Sequence, residues 1–395
     1  KHHVMKRLLP IALFLLFSLV CAQAQTSDDV FNQAQQAYLN QDYEKAFKLY
    51  KQSADAGNPE AMHNVAVMLI QPLGCVQNVK MAIDYYVKAS QAGYNPSTYN
   101  LAHMNYMGNL NGKVNKPVAA KFFQMAADNG HPESAHYLGL MYEAGDGVPQ
   151  DNTKAIHYMR IAATKGNIPL SKALLGFMLT DYTRSEEEIR EGVDFLLQAR
   201  TRMTSPEIDF AIAIEYDHGG HMPLDVLKAI QYYKRAADDG NVYAMRRYAL
   251  LHLSETAPQC NPVLGVRYLK RAMDKGDLPA KAVYAYLLDV GKFMPKNKAL
   301  ALKNYQETYD AGGKSMTWYN LMLLLCDQTV PGHNPPKAVE IVKEMAATDK
   351  RANEIYNSTL DEVKLSMPDF KDYIEDMKIP LSVRQNRPKI KQNTL

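Results

Sequence analysis

Tryptophan is almost missing: Trp318 is the only one in 395 residues. Cysteine is scarce, with four in all. Cys21 falls in an N-terminal apolar run, which leaves Cys75, Cys260 and Cys326. So odd and sparse a set is no disulfide framework, and it excludes a small stapled fold. No apolar run approaches the about 20 residues that span a bilayer; the N-terminal run, Leu8 to Ala22, has 15. A surplus of one charge is also lacking. Residues 1–24 hold Lys1, Lys6 and Arg7 and no acid, so 42 Lys and Arg face 42 Asp and Glu beyond them. Phosphate neutralisation needs clustered base, so no nucleic-acid partner is expected. His-Glu-x-x-His, Gly-x-Ser-x-Gly and Ser-x-x-Lys are absent after residue 24, which removes the commonest zinc-hydrolase and serine-nucleophile arrangements.

The N-terminus reads as a targeting signal. Lys6 and Arg7 precede the apolar run, and Ala22-Gln23-Ala24 has the small-x-small form cut by signal peptidases. Cleavage is expected after Ala24, with no stable membrane insertion afterwards. Lys1 to Val4 stand before Met5 and are read as upstream or non-native. The segment before Cys21 (Ser18, Leu19, Val20) lacks the small residue that a lipid-attachment site wants. At the other end, Arg384, Arg387, Lys389 and Lys391 lie in a stretch without acids, 380–395, which reads as a basic flexible tail.

The organisation is carried by a repeat. Glycines at 57, 93, 130, 166, 240, 276 and 312 recur every 36 or 37 residues, with one double step. A second register runs Ala66, Ala102, Gly139, Gly176, Ala213, Ala249, Ala285 and Leu321. A small residue at a fixed helical position lets a neighbouring helix come close, so this register predicts the tight point of a helix pair. In the clearest copy, Pro132 to Tyr142 places Ala135, Leu138, Gly139 and Tyr142 on one helical face. Gly145-Asp146-Gly147-Val148-Pro149 makes the turn, and Asp151 or Asn152 caps a second helix that ends at Gly166 as its left-handed C-terminal glycine. Asp28 to Ala56 reads as a shorter starting pair and 351–379 as a C-terminal capping region. The repeat occupies 25–350.

Leu138-Gly139-Leu140-Met141-Tyr142-Glu143-Ala144-Gly145-Asp146-Gly147-Val148-Pro149-Gln150-Asp151, followed by Lys154-Ala155, Ala162-Ala163 and Gly166-Asn167, resembles a Sel1-like repeat. That family is a variant of the tetratricopeptide class. The resemblance implies an all-α, right-handed superhelical solenoid of antiparallel helix pairs. It is strongest in the units starting at Pro59, Pro132 and Pro206; those at Pro169, Leu278 and Lys314 are degenerate. The implied function is an exported scaffold or adaptor, periplasmic or secreted, that binds protein partners without catalysis or cofactor. The alternatives are an enzyme or enzyme inhibitor acting on envelope polymers, and a luminal quality-control adaptor of a eukaryote.

In tetratricopeptide-like pairs the first helix lines the concave side, and residues three before and one after the small position project into it. Among those positions Tyr99, His103, His136, Asp209, Arg246, Tyr286 and Trp318 mix aromatic and charged groups, the chemistry of interface anchors. They are the expected protein-binding residues. Two other patterns are weaker. Gly312-Gly313-Lys314-Ser315 resembles the end of a phosphate-binding loop, yet Thr308 stands where its first glycine belongs and a helix precedes it, so it reads as an inter-repeat turn. His218 and His221, even with Asp217, make too small a set for zinc, and no metal is expected.

Overall fold

A computed structural model of the chain describes residues 27–108, 113–181, 183–219 and 222–357. The described residues form nineteen helices and no strand. The expected signal segment and basic tail, His221, residues 109–112 and the part of the expected capping region beyond Asn357 lie outside them.

The chain divides into two compact units, one up to Leu175 and one from Gly176 onwards. The first holds α1 (Ser27–Leu39), α2 (Tyr43–Asp55), α3 (Pro59–Ile70), α4 (Val79–Gln91), α5 (Asn95–Met107), α6 (Lys116–Asp128), α7 (Pro132–Ala144) and α8 (Asn152–Lys165). α9 (Pro169–Leu179) carries the boundary. The second holds α10 (Glu186–Arg200), α11 (Pro206–His218), α12 (Val226–Asp238), α13 (Val242–Leu253), α14 (Pro262–Asp274), α15 (Leu278–Val290), α16 (Lys298–Asp310), α17 (Lys314–Cys326), α18 (Pro335–Met345) and α19 (Lys350–Asn357). In each unit successive helices pack as antiparallel pairs, and each pair packs on the next. This is the expected all-α stack. We call the odd-numbered member of each pair, beginning with α1, the A helix and the even-numbered member the B helix.

Local chemistry explains the helix limits. Asn58, Asn78, Asp151, Asp225, Asn241, Asp277 and Asn297 each cap a helix by accepting a backbone N–H from three residues on. Proline occupies the first turn of α3, α7 and α11, where no N–H is needed. His131 caps α7 through Nδ1, which accepts from the N–H of Ser134 at 3.2 Å. Six of the seven repeat glycines are left-handed, from Gly93 at φ 84° to Gly240 at φ 103°. Gly166 departs from the expectation. It is right-handed, and Asn167 takes the positive φ instead. Gly166 is required for closeness: a Cβ there would stand 2.4 Å from that of Pro132.

The small register lies where predicted. Ala66, Ala102, Ala213, Ala249 and Ala285 are fully buried. A Cβ on Gly139 would meet Met159 Cγ at 2.9 Å and the Ala155 carbonyl oxygen at 3.3 Å. The A helix therefore crosses its partner backbone almost in contact. The B helices hold a matching register that sequence reasoning missed: Ala82, Ala119, Ala155, Gly192, Ala229, Gly265, Ala301 and Ala338. Its alanines are all at most 2% exposed. Its own 36- or 37-residue spacing was the available signal.

Candidate protein-binding face

The A helices bring the position three before the small residue to the start of the next A helix. His63 Nδ1 lies 2.9 Å from Ser97 Oγ, and His136 Nδ1 lies 2.8 Å from Ser171 Oγ. Arg246 Nη1 donates to both carboxyl oxygens of Asp277, at 2.8 and 2.6 Å. Asp277 is also the cap of α15, accepting from Ala280 N–H. Trp318 Nε1 donates to Asp349 Oδ2 at 3.2 Å, and Asp349 accepts from Ala352 N–H at the start of α19. The Tyr99 ring lies 5.3 Å from that of His131, the cap of α7. In α3, α5, α7, α13 and α17 this register position thus ties the A helix to the cap or first turn of the next. In α9 and α15 the position holds Ala173 and Ala282, and in α11 Asp209 instead accepts from Arg200 Nε at 2.7 Å.

This placement corrects part of the sequence expectation. His136, Asp209, Arg246, Tyr286 and Trp318 are all buried, at 4% exposure or less. A side chain that closes the joint between repeats offers no surface to a partner. Tyr99 and His103 remain partly exposed.

Those two belong to an aromatic cluster on α5, α6 and α7. Tyr99 contacts His103, Phe123 and Tyr137, with centroids 5.9 to 6.0 Å apart. His103 meets Tyr137 edge-on at 5.7 Å, Tyr106 meets Tyr137 at 5.9 Å, and Phe123 stacks on Tyr137. Sequence reasoning missed Tyr106 and Tyr137, because neither occupies the two positions taken to line the face. Burial, then the neighbouring Tyr137, keeps the Tyr99 hydroxyl un-ionised far above the ordinary tyrosine range. Burial lowers the pKa of His103. The cluster is therefore neutral near pH 7, rigid through ring contacts and partly open to solvent. Such a surface favours burial of aromatic and aliphatic groups rather than proton transfer.

The weaker patterns have structural roles. Both carboxyl oxygens of Asp217 accept from Arg247, at 2.6 and 3.1 Å, and one also accepts from the Tyr233 hydroxyl at 3.0 Å. His218 Nδ1 sits 2.9 Å from the Ile214 carbonyl oxygen. Gly312 lies in the turn between α16 and α17 with φ 101°, and Lys314 pairs with Glu344.

Comparison with known proteins follows the same periodicity. The Sel1 repeat model matches residues 32–58, 59–94, 96–131, 132–167, 210–241, 242–277 and 279–313, more than half of the chain. The unit starting at Pro169, which lacks its terminal glycine, falls in the gap, whereas the unit starting at Leu278 is matched. Chitin synthase regulator SKT5 of Saccharomyces cerevisiae is 26% identical over 219 residues, 52% of this chain and 31% of that protein. DAP3-binding cell death enhancer 1 of Rattus norvegicus is 26% identical over 203 residues, 51% of this chain and 39% of that protein. The chain thus spans under half the length of these curated relatives. Among solved structures, a protective antigen of uropathogenic Escherichia coli with an SLR fold superposes with TM-score 0.55 at 20% identity, covering 78% of this chain and 66% of that one.

Proposed function

Because the chain belongs to the Sel1 repeat family, we propose that it is an exported, non-catalytic scaffold that holds protein partners on its A-helix face. The observation that carries this reading is the preformed, partly exposed aromatic cluster around Tyr99, His103 and Tyr137. Rigid aromatics anchor protein interfaces at little entropic cost, because their rings are already ordered before binding. The names of the relatives, a regulator and a binding protein, accord with it. Export is supported by the run Leu8 to Ala22 and the cleavage-like Ala22-Gln23-Ala24.

In-cell crosslinking of the full chain, followed by partner identification and cell fractionation, tests the reading. A defined partner is expected, recovered with the protein outside the cytoplasm. Tyr99→Ala and His103→Ala together should weaken its affinity about fivefold or more, the scale of an interface anchor. A partner that binds the double variant as tightly as the wild type would move the site off this face. Recovery of the chain in the cytoplasm alone would end the export part.

A further inference from the structure

Charge in the first unit is sorted by helix. The A helices α1, α3, α5 and α7 hold five acids and no Lys or Arg, whereas the B helices α2, α4, α6 and α8 hold ten Lys and Arg against four acids. Two of those four acids are already occupied: Asp55 and Asp128 accept from the hydroxyls of Tyr85 and Tyr158 on the next B helix along. Lys48, Lys51, Lys80, Lys88, Lys121 and Lys165 are exposed, and no carboxylate in the described residues pairs with them. The fold does not require this sorting. In the second unit the B helices α10, α12, α14, α16 and α18 hold twelve bases and eleven acids.

We propose that the B-helix face of the first unit is a docking surface for an acidic polypeptide segment, one rich in Asp and Glu with apolar residues between them. This rests on the scaffold reading and gives it a second face, opposite in charge to the first. The charge complement is set by these six exposed lysines, whereas Lys116 and Lys154 already pair with Asp146 and Asp151. Lysine is a compact point charge on a flexible stem and tolerates variation in the register of the opposing carboxylates. Met81 and Met125 are 41% and 51% exposed among these lysines, and methionine adapts to irregular apolar contacts. No Phe or Tyr of these four helices is exposed. The face therefore lacks the stacking platforms that hold single-stranded nucleic acid and the aromatic or leucine ridge with which interfacial helices enter a bilayer.

Fluorescence anisotropy of the full chain with a labelled, Glu-rich peptide containing interspersed Leu provides the test. Phosphatidylglycerol vesicles and a DNA oligonucleotide serve as competing probes. Binding of the peptide is expected, weakening as salt screens the lysines. Lys48→Glu, Lys88→Glu and Lys121→Glu combined should lower peptide affinity about tenfold or more, on the scale of three lost charge contacts. The matched second-unit triple, Lys270→Glu, Lys275→Glu and Lys343→Glu, should leave it near wild type. Equal losses in both triples, or tighter binding of vesicles or DNA than of peptide, would overturn the proposal. Crosslinking separates it from the reading beneath it: a partner lost from the Tyr99 and His103 variant but kept by the first lysine triple sinks only this inference.

Discussion

Gly139 and Gly176 occupy one register position but tolerate a side chain differently. The Cβ of an alanine at 139 would press mainly on Met159, whose flexible side chain can give way, and would sit 3.3 Å from a backbone oxygen. At 176 it would stand 2.6 Å from the branched Cγ of Leu196 and 2.8 Å from the carbonyl oxygen of Gly192. The backbone oxygen cannot move without separating the helices. Gly176→Ala is expected to cost more than Gly139→Ala, with both within about 1–3 kcal/mol, as overpacked contacts usually are. Urea denaturation of the two variants tests the order; equal midpoints would mean that the α9–α10 crossing is looser than drawn. The positions themselves were legible in sequence, because closeness leaves a recurrent small residue. Gly166 was not. Its value lies in contact with Pro132, 34 positions away, which no local rule reports.

At the level of helices, what the sequence disclosed and what it concealed divide along range. Caps, turns and pairings follow from residues a few positions apart, and the units at Pro59, Pro132 and Pro206 were readable for that reason. The burial of Arg246 and Trp318 was not, because their partners lie 31 residues ahead in the cap of another helix. A spacing of 31 from Arg or Trp to Asp was the available sign, and it becomes meaningful only once the A helices are known to abut. The same geometry sets an expectation. Arg246→Ala leaves Asp277 buried without its cation, with side-chain exposure of 4% on each partner. Breaking a buried pair in this way costs about 3–5 kcal/mol, so thermal unfolding should move sharply downward. If R246A melted like the wild type while weakening partner binding, Arg246 would be an interface anchor after all and the inter-repeat role would fail.

Across the whole molecule the two units should answer acid differently. In the first, burial lowers the pKa of His63 and His136 to about 4, and also lowers those of His103 and His131. The unfolded chain takes up a proton near the ordinary 6.5, while the folded imidazoles stay neutral until about pH 4. Unfolding therefore binds protons between these values, and stability falls as pH drops through that window. The loss is up to about 3 kcal/mol for each of His63 and His136. In the second unit His252 is lowered in the same sense, but two carboxyls oppose it. Burial raises Asp289 to about 6 and also raises Asp209. Each stays protonated when folded at a pH where the unfolded chain has ionised, so each destabilises increasingly as pH rises from about 4, for Asp289 through about 6. Acidification relieves that cost. Repeat proteins lose structure locally, because each repeat touches only its neighbours. Hydrogen exchange at pH 7 and pH 5, corrected for intrinsic rates, should therefore show α3 to α7 losing protection while α15 and α16 change little or gain. His136→Asn should lessen the response of the first unit by removing one of its four lowered imidazoles. Parallel losses in both units, or an unchanged pH slope in H136N, would show that these buried groups do not set the acid response.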